Sequence, residues 1–329
     1  MRMITRYFTY LKKHFTNLKL RNKFLIGYAI LLILPLLITG ILFYNWFAKV
    51  TIKQTKEISI QSVKQAELNI SYIKEQVENL GDMVFWDMEF RELLKQKDTL
   101  LYDQVEEYEK IINMITNMEE SPKIHRIRLY VLDNKLYARN NQTIFPLSML
   151  EDNKYFQSMV KSQNKSGWTS RYSNIDPDGR KKDIVSYMII LNDFDNFGRV
   201  IGCLFIDVLE NDFYSILKET EIGNESLAFV HNKNGDIISS TDSHNMNKIL
   251  SIYSQHQPTA SFTQFHFDRV EFSAIRMPIR GTEWEIVYMI PTRESMKNVV
   301  TSIKFTVIII FSCILLAAAI AIVVSDKIT

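Results

Sequence analysis

The chain is predicted to be an α+β protein: a long N-terminal helix, then two tandem antiparallel-sheet modules of one layout, flanked by two transmembrane helices. Three observations carry this. Uncharged apolar runs lie near both ends, Phe24–Ala48 and Phe305–Ser325. Each is long enough, at about 1.5 Å per residue, to cross a hydrocarbon layer of about 30 Å. From Ser59 to Leu80 the apolar or small positions Ser59, Val63, Ala66, Ile70, Ile73, Val77 and Leu80 follow heptad steps. Beyond Ser121-Pro122 the hydrophobic period drops to two, in strand-length runs separated by Asp, Asn, Gly and Pro.

The first run follows Arg2, Arg6, Lys12, Lys13, Lys19, Arg21 and Lys23 with no acidic residue among them. Basic flanks stay cytoplasmic, so residues 1–23 are expected inside, with 24–48 as the first span. An uncleaved anchor is expected over a signal peptide, because the run is long and Ile38-Thr39-Gly40-Ile41 is a poor cleavage site. A second span at 304–325 returns the C-terminus to the cytoplasm and leaves 49–303 extracellular. The two cysteines, Cys203 and Cys313, are not expected to pair, so this external domain holds together by its core. The net charge of +2 comes largely from the basic tail. The external part is near neutral, which argues against nucleic acid as a partner.

Within the external domain, residues 49–120 read as a helical stalk. One helix runs to Leu80 and is broken at Gly81-Asp82. Shorter helices follow at Phe85–Lys95 and Leu101–Met118. The heptad seam either packs on the domain's own sheets or also meets the same helix of a second subunit. The distal module spans 121–208. Ile127, Leu129 and Val131 share one face of a first strand, with Arg126, Arg128 and Tyr130 on the other. Asp133-Asn134 reads as a turn to a hairpin partner at Lys135–Arg139. A helix at Glu151–Ser162, a short strand at Gly167–Ser170, and long strands at Ile184–Leu191 and Arg199–Val208 complete it. After a helix at Leu209–Thr220, the proximal module spans 222–290. Its strands are Leu227–His231, Asp236–Ser240, Ser261–Asp268, Glu271–Pro278 and Trp284–Ile290, with a helical or irregular stretch at Met246–Gln255.

These segments resemble the double Cache (tandem PAS-like) sensor regions of bacterial receptors, and most closely those of YesM-type sensor histidine kinases. The resemblance rests on "LKLRNKFLIGYAILLILPLLITGILFYNW" (Leu18–Trp46), "NISYIKEQVENLGDMVFWDMEFRELL" (Asn69–Leu94), "GWTSRY", "IVSYMIIL", "RVIGCLFIDV", "LAFVHNKNGDIISS" and "GTEWEIVYMIP". Ser325–Thr329 is similar to the opening of a HAMP linker. Amino-acid-binding members carry an Arg before the aromatic pair of the helix inserted into the distal module. Here Tyr155-Phe156 has none, while Asp207 falls where their late-strand Asp lies. The resemblance therefore disfavours a free α-carboxylate ligand, with Arg126, Arg128 or Arg171 as substitutes for the missing Arg.

No catalytic chemistry is legible. The six histidines show no close metal-ligand spacing, no G-x-S-x-G elbow occurs, and no metal or cofactor is expected. Ligand pockets in such modules combine aromatic walls with a few polar groups between the sheet and the inserted helix. The expected ligand-binding residues are Trp168, Arg171, Tyr187 and Asp207, with Tyr130 and Tyr155 behind them. Each also has a structural role available: Trp168 and Tyr187 as core, Asp207 as a helix cap, Arg171 as a solvated charge. The expected role is the ligand-sensing input region of a transmembrane receptor. Its partners would be a small extracellular ligand (sugar-related by resemblance), membrane lipid, a second copy of the chain, and a cytoplasmic response regulator reached through an output domain outside this chain. A membrane-anchored AraC-type regulator with the same sensor, or a non-signalling surface protein, are the alternatives.

Overall fold

The computed structural model describes residues 20–95, 101–139, 142–193, 195–196, 199–220, 226–242, 262–267 and 270–291, and near the C-terminus 301, 304–316, 319–320 and 323. The expected irregular stretch at 246–255, the basic tail before Leu20 and the linker from Ser325 lie outside these residues. The chain divides into two compact units. One comprises residues 59–291, the other the two terminal segments.

In the terminal unit, helix α1 (Leu20–Trp86) carries the first apolar run through Pro35 without interruption. Proline removes one backbone donor from a helix. Near it, the Thr39 hydroxyl donates to the Pro35 carbonyl at 2.8 Å. Leu31, Leu34, Ile41, Leu42 and Trp46 are exposed, as expected of a surface that faces lipid. This is the one helix among the described residues that is long and apolar enough to cross a membrane. The second apolar run is helical at α6 (Lys304–Leu316), shorter than a full span within the described residues. Gly40 lets the two helices approach: a Cβ there would lie 2.8 Å from Ile310 Cδ1. Small residues at such crossings serve close packing where no hydrophobic drive operates.

In the central unit the second half of α1 lays its heptad seam inward. Val63, Ala66, Ile70, Ile73 and Val77 are buried in the core shared with the domain's own sheets, and Ser59 is buried as well, which accounts for the packing role expected of the seam. The helix does not break at Gly81-Asp82; it continues to Trp86. Gly81 serves closeness instead. A Cβ at Gly81 would collide with the Ile189 side chain and lie 2.9 Å from Tyr187 Cε1. Gly81→Ala should therefore lower stability by about 1–2 kcal/mol: about 1–3 of overpacking is offset by less than 1 of helix propensity. Urea unfolding of the purified chain measures this. The break comes at Asp87, whose carboxylate accepts the Phe90 amide at 3.0 Å and so caps α2 (Met88–Lys95). Helix α3 (Leu101–Glu119) follows.

The distal sheet has six strands. Five run in the order β2 (Ile144–Pro146), β1 (Arg126–Val131), β6 (Val200–Leu209), β5 (Lys181–Asn192), β3 (Ser166–Trp168), and β4 (Tyr172–Ile175) also pairs with β5. The hairpin expected at Lys135–Arg139 does not form. Lys135 turns inward instead, its amine 3.0 Å from both Glu107 and the Leu93 carbonyl, and residues 136–139 wind into a 3₁₀ turn. The neighbour of β1 is β2, which runs parallel to it with Leu129 opposite Ile144. Every other pairing in the sheet is antiparallel. Helix α4 (Lys154–Ser162) covers one face. Asn153 caps its start by accepting the Tyr155 and Phe156 amides, at 3.0 and 3.1 Å.

Helix α5 (Glu210–Glu219) leads from β6 to the proximal sheet, ordered β8 (Ile237–Ser240), β7 (Leu227–His231), β11 (Glu285–Pro291), β10 (Val270–Pro278), β9 (Phe262–Phe267). All its pairings are antiparallel. One continuous core lies under both sheets. It joins the α1 seam to Ile127, Leu129 and Ile189 of the distal sheet, to Phe213 and Leu217 of α5, and to Ile286 and Tyr288 of the proximal sheet. A separate, smaller cluster sits between α4 and the distal sheet: Tyr130, Phe156, Met159, Met188, Ile190, Cys203 and Phe205.

Candidate functional site

Period-two alternation sends neighbouring residues of β1, β5 and β6 to opposite faces. On the α4 side this gathers polar groups that interrupt otherwise apolar strands: Arg128 and Tyr130 from β1, Ser186 from β5, Asp207 from β6. The register puts Ser186 opposite Asp207, and Arg128 opposite Phe205, diagonal to Asp207. The Arg128 guanidinium donates Nε to one Asp207 oxygen at 2.7 Å and Nη2 to the other at 2.9 Å. It also donates Nη1 to the Tyr130 hydroxyl at 3.1 Å and Nη2 to the Tyr172 hydroxyl at 2.6 Å. The Ser186 hydroxyl completes the set by donating to Asp207 at 2.5 Å, and it lies 2.7 Å from the Tyr172 hydroxyl. Phe205 forms a floor, with its ring centre 4.8 Å from the guanidinium carbon. Tyr155 of α4 reaches the Ser170 hydroxyl and stands 5.9 Å from the Tyr172 ring.

Asp207 is 1% exposed and Arg128 7% exposed. Burial alone would pull the Arg128 pKa down. The adjacent Asp207 carboxylate overrides that and holds it well above the ordinary arginine value. Burial pushes the hydroxyl pKa values of Tyr130 and Tyr172 up, so both remain donors in neutral solution. On the same face, beyond the apolar middle of the sheet, lies a cavity of about 420 Å³. Its lining includes Met159, Gln163, Asn164, Ile190 and Asn192. That volume suits a small ligand.

The six residues expected from sequence do not meet in one place. Tyr130, Tyr155 and Asp207 belong to the α4-side cluster. Trp168 and Tyr187 are opposite one another in β3 and β5, with rings 5.2 Å apart, on the other face against α1. There the Trp168 indole donates to Glu78 at 2.9 Å, and its ring stands 5.3 Å from Trp284 of the proximal module. Arg171 lies where the modules join. Its amide donates to the Ile237 carbonyl at 3.4 Å, and its guanidinium is 3.8 Å from Glu210. Asp207 does not cap α5; the capping position is Leu209, without a side-chain bond. Of the three arginines considered as carboxylate ligands, Arg126 turns to the Gln142 carbonyl and Arg128 is engaged by Asp207. Ser186, Tyr172 and Ser170 were not singled out by sequence. A lone Ser and a lone Asp within "IVSYMIIL" and "RVIGCLFIDV" were the available signal.

The Cache domain family matches residues 43–299 of this sequence. The chain belongs to that family. Solved Cache-type sensor domains share the fold at low identity. The extracellular domain assigned to the histidine kinase soHK1S-Z6 is 14% identical with a TM-score of 0.52, covering 77% of this chain and 99% of that one. The ligand-binding domain of the Pseudomonas fluorescens chemoreceptor CtaA, solved with L-isoleucine, is 13% identical with a TM-score of 0.50, covering 77% and 97%. No curated relative matches the sequence.

Proposed function

We propose that this chain is the ligand-sensing input region of a cell-surface receptor, and that the α4-covered face of its distal Cache module receives the ligand. The observation that carries this is the Arg128–Asp207 cluster. Burying an ion pair costs free energy that a purely apolar layer would not. Here it is ringed by hydroxyls on the sheet face that the nine-residue α4 covers. Tyr130, Tyr155 and Asp207 are assigned to the site together with Arg128, Tyr172 and Ser170. Trp168 and Tyr187 are assigned to packing between the distal sheet and α1, and Arg171 to the junction of the two modules. The fold neighbours named for a histidine kinase and a chemoreceptor fit this class of protein, and the CtaA structure carries an amino acid. The receptor holds two spans, 24–48 and 304–325, with both ends cytoplasmic and 49–303 outside. It works as a homodimer on a cytoplasmic output, which the YesM-type resemblance points to as a histidine kinase.

Two measurements test the reading. The full chain in detergent is heated with a library of small extracellular metabolites. A ligand at 100 times its dissociation constant contributes about 2.7 kcal/mol, enough for a clear rise in midpoint. Tyr155→Phe and Tyr172→Phe should reduce that rise, and Trp168→Phe should not. A library that stabilises nothing, or loss of the rise only in Trp168→Phe, overturns the site. For topology, single cysteines at Lys165, which is exposed, and at Lys13 are introduced in a Cys203→Ser background. An impermeant thiol reagent on intact cells should label the first and not the second. The reverse overturns the orientation.

A further inference from the structure

Taking the α4-side cluster as the ligand site, we infer that Arg128 is its specificity-determining residue. From within the protein, it fills the cation position beside Asp207. The site therefore takes a neutral, hydroxyl-bearing ligand such as a sugar or polyol, and rejects ligands that bring an ammonium group, free α-amino acids included.

The inference follows from a donor and acceptor count. A guanidinium has five N–H donors, and four of those on Arg128 are used inside the cluster, two of them on Asp207. Both carboxylate oxygens of Asp207 already accept from Arg128, and one accepts from Ser186 as well. The fork-on-fork pairing fixes the geometry as well as the charge. An incoming ammonium group would have to expel the guanidinium from Asp207 and leave it buried without its carboxylate, which is strongly unfavourable. An incoming carboxylate would have to draw on the same committed guanidinium. Lys154, at the start of α4, has its amine 4.8 Å from the Tyr155 ring centre, and it too repels a cationic ligand. What remains for a ligand is hydroxyl chemistry: Tyr130, which accepts from Arg128 and keeps its own proton, and the Tyr155–Ser170 pair, which uses one of its two protons internally, whereas Tyr172 accepts from Arg128 and gives its proton to Ser186. Aromatic faces at Tyr155 and Tyr172 suit the apolar face of a sugar ring.

The test swaps the internal cation for a free one. In the full chain in detergent, Arg128→Ala leaves a hole beside Asp207. Methylguanidinium chloride should raise its thermal midpoint by about 3 °C or more over an equal concentration of sodium chloride. Wild type and the Arg128→Ala/Asp207→Ala double variant should not respond. The converse variant, Asp207→Ala, should be stabilised by acetate and not by methylguanidinium, so the test stands if one variant does not fold. None of the twenty common L-amino acids should stabilise the wild type. Stabilisation by an amino acid with Arg128 intact overturns the inference. So does a methylguanidinium response in Arg128→Ala no larger than in wild type. The rescue reads the pairing itself. A positive rescue, with no metabolite stabilising the wild type, would therefore overturn the sensor reading alone.

Discussion

Arg128→Ala should lower the stability of the chain by about 3–5 kcal/mol, the range found when one partner of a buried ion pair is removed. The loss is not the worth of the pair. It arises because Asp207, 1% exposed, loses the guanidinium that pairs with both its oxygens and is left with the Ser186 hydroxyl. A double replacement by apolar residues of similar volume, Arg128→Met with Asp207→Leu, should therefore cost far less than either single change, and can come out neutral or stabilising. Tyr172→Phe removes one neutral hydroxyl and should cost about 1 kcal/mol. Chemical denaturation of the four proteins in one detergent checks the order. A double variant as unstable as Arg128→Ala would mean that the cluster contributes packing that these side chains cannot replace.

Trp284→Ala should cost a further large amount, about 3–5 kcal/mol, as for other buried large aromatics. Trp284 is 5% exposed and stands edge-on to Trp168 at 5.3 Å and to Phe213 at 6.0 Å, so its ring touches the distal sheet and α5 as well as its own module. Its removal should lower the stability of both modules together, read as a single shifted transition in tryptophan fluorescence and in circular dichroism. Trp86→Ala, at a site 65% exposed, is the control and should stay within about 0.5 kcal/mol. Two separated transitions in Trp284→Ala would show that the modules unfold independently.

The parts of this architecture that follow from local periodicity were legible in the sequence. The heptad seam named its inward residues correctly, because a buried helix face repeats every three or four positions whatever it packs on. The strand pairs Ile184–Leu191 with Arg199–Val208, and Glu271–Pro278 with Trp284–Ile290, announced themselves as apolar runs bounded by turns. What failed to show were features decided at long range. Gly81 reads as a breaker, but the residues that require it, Tyr187 and Ile189, lie about a hundred positions away. Lys135 reads as the start of a hairpin strand. Its buried partner Glu107 sits on another helix, and the true neighbour of β1 arrives in parallel. The candidate site divided along the same line. Aromatic and charged residues could be listed from the strands, but the sheet face each occupies depends on register. A one-residue phase difference separates Tyr187 from Ser186 and sends them to opposite sides.

The shared core beneath both sheets bears on how such a receptor can be rearranged. The α1 seam, α5 and the two sheets bury their side chains in one another, so no cut between the modules leaves either half with its apolar face covered. A chimera that exchanged only the distal module would graft a sheet onto a helix shaped for another. Substitutions confined to the α4 face, whose small satellite cluster is separate from the main core, should by contrast leave the segment from Ser59 to Pro291 folding as one block.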